Sequence, residues 1–127
     1  MPPPRSSVDR AKSVDAVLSS LTALRGVTAA GVIDNDGFVV QIRRDFEIDT
    51  DALGAGVQVA FGAAAKAVEQ SNLGTSSLVL IESDLGLIML VPLANEFVLA
   101  IIADRSTMLG ALRYEARQVV PELNQLF

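Results

Sequence analysis

The sequence predicts an α+β (α/β) domain in which one sheet lies between helices, in the order helix, two strands, helix, three strands, helix. Two observations carry this. Segments with apolar residues at helical spacing alternate with short apolar runs that end in Gly, Asp, Asn or Pro. The last three runs are greasy at odd and at even positions, so the sheet they build needs cover on both sides. With 127 residues, 50% of them apolar, the chain reads as one domain over residues 8–127.

Residues 1–7 hold three prolines and two serines and read as a flexible tail. They lack the apolar segment of a signal peptide. From about Val8 a helix is expected, with Val14, Val17, Leu18, Leu21 and Leu24 as its stripe and Arg25-Gly26 as its stop. Val27–Ile33 and Phe38–Arg43 follow as two strands, joined by Asp34-Asn-Asp-Gly37, whose Asp-Gly step suits a hairpin. The second of these alternates, with Phe38, Val40 and Ile42 against Val39, Gln41 and Arg43. That places it at an edge or open to water on one face.

Asp49-Thr50-Asp51 supplies caps and negative charge for the start of a long helix, about Asp51 to Gln70, which Asn72-Leu-Gly74 ends. Three strands are then expected at Ser77–Ile81, Leu87–Val91 and Phe97–Ala103. Asp104-Arg-Ser-Thr107 launches the last helix, with Ser106 or Thr107 as its cap. Leu109, Leu112, Ala116, Val120, Leu123 and Phe127 share its apolar face. Pro121 falls inside that pattern and predicts a kink or a break.

The long helix carries two apolar surfaces. Leu53, Val57, Phe61, Ala64 and Val68 form a large one. Gly56, Ala60, Ala63 and Ala67 form a small one, offset by roughly a quarter turn at about 100° per residue. Packing on one sheet needs only the first; the second lets another backbone come close. A second copy of the chain is the expected partner, because no other helix is free to fill that role. The bland reading is that the small residues fit the helix tightly to its own sheet. The strand Ser77-Leu-Val-Leu-Ile81 adds to the case. It carries no charge or proline before Glu82, so at a sheet edge it would be open to pairing with its own copy through the segment holding Leu78 and Leu80.

Composition removes several functions. The chain has no cysteine and no histidine, so disulfides, thiolate metal sites and the commonest general base are absent. A net charge of −5 argues against nucleic acid. The longest apolar run, Leu85 to Ala94, is far short of a membrane span, and a cytoplasmic chain is expected. Gly54-Ala-Gly56 starts like a dinucleotide fingerprint, but Val59 breaks it and no strand precedes it. Asp34-Asn-Asp-Gly37 lacks the later ligands of a calcium loop. Asp49 and Asp51 read as helix caps rather than a catalytic pair. The serines have no histidine to activate them. Arg105, Arg113 and Arg117 offer charge for a phosphate in trans, but solvated positions are their ordinary home. No cofactor is expected, and the chain reads as no enzyme.

Two segments resemble the Roadblock / dynein light chain family in its bacterial MglB-like branch. One is Ile48-Asp-Thr-Asp-Ala-Leu53 running into the Gly/Ala-rich helix. The other is Ala103-Asp-Arg-Ser-Thr-Met-Leu-Gly110 with Leu112-Arg113, similar to the family's Leu-Gly-x-x-Arg start of the last helix. The likeness spans about residues 8–127; the proline-rich start and Pro121 depart from it. It implies a longin-like, five-stranded, mainly antiparallel sheet covered by helices on both faces. It also implies a homodimer formed through an edge strand and the neighbouring helix. Many members bind small Ras-like GTPases. MglB-type dimers stimulate GTP hydrolysis in cell polarity and motility by repositioning the GTPase's own loops, without inserting an arginine. On that basis Gln58, Lys66 and Glu69, on the long helix, are the expected GTPase contacts. Two other readings stand beside this one. One is a structural adaptor of the dynein light chain type, with no effect on turnover. The other, ranked last because few polar groups converge on the core faces, is a small-molecule sensor with a pocket between sheet and helix.

Overall fold

A computed structural model describes residues 7–127 of the chain. The element order is α1 (Ser7–Thr22), β1 (Val27–Ile33), β2 (Val39–Arg44), α2 (Thr50–Gln70), β3 (Val79–Ser83), β4 (Gly86–Pro92), β5 (Val98–Asp104) and α3 (Leu109–Leu126). The expected tail, residues 1–7, lies outside the described residues but for Ser7, which opens α1. The strands form one five-stranded antiparallel sheet in the order β2-β1-β5-β4-β3. α1 and α3 cover one face and α2 crosses the other.

α1 buries Val14, Val17, Leu18 and Leu21, the stripe its spacing predicts. The chain then turns at Gly26, whose φ is +82°. A side chain there would meet the Thr107 amide nitrogen at 2.6 Å and Asp104 Oδ1 at 2.8 Å. The Asp104 amide donates to the Gly26 carbonyl at 2.8 Å, so this glycine docks the first turn against the start of the last helix.

The hairpin after β1 forms at Asp34–Gly37. Asp34 Oδ1 accepts from the amides of Asp36 and Phe38, both at 2.9 Å. The alternation expected for β2 does not hold. Ile33 pairs with Val39 whereas Val32 pairs with Gln41, so Val40 is an extra residue in a bulge. The bulge resets the faces. Val39 and Ile42 both line the α2 side, while Phe38 and Val40 are exposed.

α2 starts where the acceptors predict: Asp49 is its N-cap and accepts from the Ala52 amide at 3.0 Å. It ends with the Leu73 amide on the Val68 carbonyl and the Asn72 amide on the Glu69 carbonyl, both at 3.1 Å. Asn72 and Gly74 both take positive φ there. This closing turn uses several residues before pairing begins, so β3 starts at Val79 rather than Ser77. β3 and β4 are joined tightly, with Ser83 paired to Gly86.

The last helix starts elsewhere than expected. Its N-cap is Met108, with no side-chain hydrogen bond, rather than Ser106 or Thr107. Ser106 is taken by Asp104, whose Oδ1 accepts from the Ser106 hydroxyl at 2.6 Å and its amide at 2.9 Å. α3 also runs through Pro121 without a break. Buried Leu112 and Ala116 before the proline and Leu123 and Leu126 after it anchor both halves to the core. Pro121 itself is exposed, as is Arg117 one turn earlier, so the carbonyl deprived of its amide partner lies on the wet side.

Candidate functional site

Antiparallel register sorts the strand residues into two faces. Met89, Val91, Leu99 and Ile101 point to α1 and α3 and are buried with Leu18, Leu21 and Leu112. Ile33, Leu90, Val98 and Ala100 point to α2, with Val57 as the helix's own buried side chain. The 21-residue α2 buries only Gly54 and Val57. Gly54 is buried because a side chain there would collide with the Gly37 carbonyl of the β1–β2 turn.

Cross-strand pairs fix a row of isoleucines on this lightly covered face. Ile102 pairs with Ile88, and Ile88 with Ile81. α2 runs beside the row: Leu53 and Ile102 line one gap, and Ile88 packs on the cluster around Val57. Gln58, Phe61, Gly62 and Ala65 line the helix's flank toward Pro92 and Phe97. At about 100° per residue, Gly56, Ala60, Ala63 and Ala67 fall on the opposite flank, the one turned toward the isoleucine row. Gly56, Ala63 and Ala67 are exposed, and a side chain at Gly56 would meet nothing within 4 Å. Ala60 is half-buried and packs partly against its own sheet. The small residues of α2 therefore have two uses: Gly54 fits the helix to its own turn, and the others form an open surface.

The two sheet edges are unlike. β2 is bulged, carries Arg43 and Arg44, and is tied to α1 by an Arg43–Asp15 salt bridge at 3.2 Å. β3 is regular, and its residues are uncharged from Val79 to Ile81. Leu78, just before β3, and Leu80, within it, lean on the α1–α3 core. They thus lie across the sheet from the small flank of α2. The strand residues that share α2's side are Val79 and Ile81, the latter 39% exposed. Sequence reasoning missed this pair, because only the pairing register decides which alternate set faces which helix.

Of the expected GTPase contacts, Lys66 and Glu69 are exposed. Gln58 is half-buried; its Nε2 donates to the Asp34 carbonyl at 2.7 Å and the Glu96 carbonyl at 3.4 Å. It joins the β1–β2 and β4–β5 turns through the side of α2. Beside it opens a cavity of about 370 Å³. Asn35, Gln58, Thr75, Ser76 and Glu96 all line it, at the turns beside α2 rather than on the core faces of the sheet. The sequence carried little sign of this, since the five come from four separate segments. Among the described residues no cluster of His, Cys, Asp or Glu could hold a metal ion, and no helix is long and apolar enough to cross a membrane.

Comparison with known proteins places this geometry. The family model of the Roadblock/LC7 domain matches residues 13–103. The uncharacterized protein MJ0310 of Methanocaldococcus jannaschii is 27% identical over 114 residues, covering 90% of this chain and 99% of that one. Two solved structures share the fold. Myxococcus xanthus MglB superposes with a TM-score of 0.82 at 20% identity, over 90% of this chain and 94% of that one. The gliding protein MglB from Thermus thermophilus does so with 0.85 at 14% identity, over 97% and 93%. The element order, the antiparallel sheet with helices on both faces, and the family match over most of the chain lead to one assignment: this chain is a member of the Roadblock/LC7 domain family.

Proposed function

We propose that two copies of this chain pair through β3 and the small flank of α2. We further propose that the pair is a non-catalytic regulator that docks a small Ras-like GTPase and speeds its GTP hydrolysis. The observation that carries the reading is the coincidence of an unprotected edge strand with an exposed Gly/Ala flank beside an isoleucine row. Antiparallel pairing of β3 with its copy extends the sheet and brings the two α2 flanks together by the same two-fold axis. Gly56, Ala60, Ala63 and Ala67 then allow close helix approach, while Leu78 and Leu80 flank the seam from the other face.

The outer surface of the paired α2 helices is the docking platform, with Lys66 and Glu69 reaching into solvent and Gln58 at its margin. Such a surface loses little side-chain entropy when a partner lands on it. The chain brings no histidine or cysteine to the task, so the chemistry stays with the GTPase and rests on moving its own loops. The family resemblance and the likeness to MglB structures support this reading and its setting in cell polarity or motility within the cytoplasm.

The test is single-turnover GTP hydrolysis by a Ras-like GTPase of the same genome, with and without this chain. A rise in rate that is lost when pairing is lost supports the regulator. A stable complex with an unchanged rate makes the chain a structural adaptor instead.

A further inference from the structure

We propose that the cavity between α2 and the β4–β5 turn is a socket for an arginine side chain presented by a protein partner, a role beyond self-association and one that shares Gln58 with the margin of the proposed docking platform. Phe61 and Phe97 give it aromatic walls, and Ser76, Thr75 and Gln58 give it hydrogen-bonding groups. Glu96 lines it and makes no salt bridge among the described residues. No Lys or Arg is among the described lining residues. The one charged residue of the lining is thus acidic and stands with two phenylalanines, a combination that complements a cation.

The backbone that carries Glu96 is pinned. Asn95 and Glu96 both adopt left-handed conformations, φ +60° and +64°. Asn124 Oδ1 accepts from the Ala94 amide at 2.7 Å, Asn95 Nδ2 donates to the Phe127 carbonyl at 3.2 Å, and Gln58 Nε2 reaches the Glu96 carbonyl. Three hydrogen bonds, one with α2 and two with the end of α3, thereby hold the turn in place before any ligand arrives. Gln58 uses its amide nitrogen in these bonds, which leaves its carbonyl oxygen as an acceptor beside Glu96.

The shape of the frame selects among cations. A flat guanidinium stacks on phenyl rings and donates in several directions at once, which a compact ammonium does not do. The lining also holds no Lys or Arg to match an anion's charge. A free amino acid would bring an unmatched carboxylate, whereas a side chain within a peptide brings none. The cavity opens next to Gly62 and Ala65 of α2, where small residues give a macromolecule room to approach.

The test uses the full chain, isotope-labelled, with backbone amide shifts followed by NMR. An acetylated and amidated Gly-Arg-Gly tripeptide is expected to move Gly62, Thr75, Ser76, Glu96 and Phe97 together. Its citrulline counterpart, equal in shape but uncharged, is expected to bind at least about tenfold more weakly. Glu96→Gln is expected to weaken the arginine peptide to a similar degree. That substitution keeps the backbone carbonyl that receives Gln58, so the melting temperature stays the same. Equal binding of the citrulline peptide, unchanged binding by the variant, or shifts scattered away from the cavity would overturn the socket. A lysine tripeptide binding as tightly as the arginine one would overturn the guanidinium assignment. Free arginine binding more tightly than the capped peptide would overturn a protein as its source.

Discussion

On the side of α1 and α3, seventeen residues are buried together; on the side of α2, five are. Both sides belong to the same five strands, and β4 and β5 are apolar toward each. The difference lies in the helices. α1 and α3 each bury four residues and pack on one another, so together they seal their face. α2 crosses alone, is longer than either, and buries two. An apolar sheet face under a single helix made largely of Ala and Gly is half-finished, and what remains open is arranged as a row of isoleucines beside a flat edge. Burial is thereby concentrated on one face of the sheet, and the other is the face that the proposed pairing uses.

The comparison breaks most readily through the core. Leu18→Ala removes a fully buried side chain from the α1 face and is expected to cost about 2–5 kcal/mol in urea unfolding. Val57→Ala on the other face loses less surface and is expected to cost about 1–2 kcal/mol. Equal losses would mean that the two faces contribute alike to stability.

The same contrast exists within α2. Gly54→Ala drives a methyl group into the Gly37 carbonyl and is expected to cost about 1–3 kcal/mol of stability at any protein concentration. Ala63→Leu adds bulk to an exposed position, so the single chain stays as stable while self-association weakens by about 1–3 kcal/mol per site. Sedimentation across a dilution series separates the two. Ala60→Leu is the less clean variant, because Ala60 also touches its own sheet. Ile81→Lys sharpens the edge-strand half of the argument better than a change at Leu80, which would also damage the α3 core. A fully paired Ile81→Lys protein would remove β3 from the proposed seam.

Which parts of this are legible in the sequence follows from what each signal depends on. Helix and strand order comes through because periodicity is local: Val14, Val17, Leu18 and Leu21 declare α1 without reference to anything else. The lack of charge in β3 says only that the strand is unprotected if it lies at an edge, and the strand order puts it there. The small residues of α2 leave tight packing on its own sheet open as well, and exposure decides for Gly56, Ala63 and Ala67. The face of each strand is not legible. A bulge at Val40 inverts the expected alternation of β2, and pairing register sends Val79 and Ile81, rather than Leu80, toward α2. The start of α3 is misplaced because Asp104 competes for Ser106, a short-range choice that propensity does not decide. The Glu96 cavity is invisible because its walls come from four segments that only the fold assembles.

The smallest expected effect lies on the sealed side, at the Asp104 turn where β5 hands over to α3. The Ser106 hydroxyl, then the Ser106 amide, donate to the Asp104 carboxylate and hold its pKa below the usual 3.8, with Arg25 adding to the same direction. A carboxylate whose folded pKa is depressed contributes stability that is present above its unfolded value and is lost as pH falls through the folded one. At neutral pH the charge is therefore stabilising, and acid removes that contribution below about pH 3.8. Asp104→Asn keeps an acceptor for Ser106 but abolishes the titration. It is expected to flatten the acid limb of a pH–stability profile slightly, because the site is exposed and water screens it. The Gly26–Thr107 corner stays closed in this variant, so the neutral plateau drops modestly and self-association is untouched. A variant that instead lost pairing would tie the α3 start to the open face, and the contrast between the two sides of the sheet would have to be redrawn.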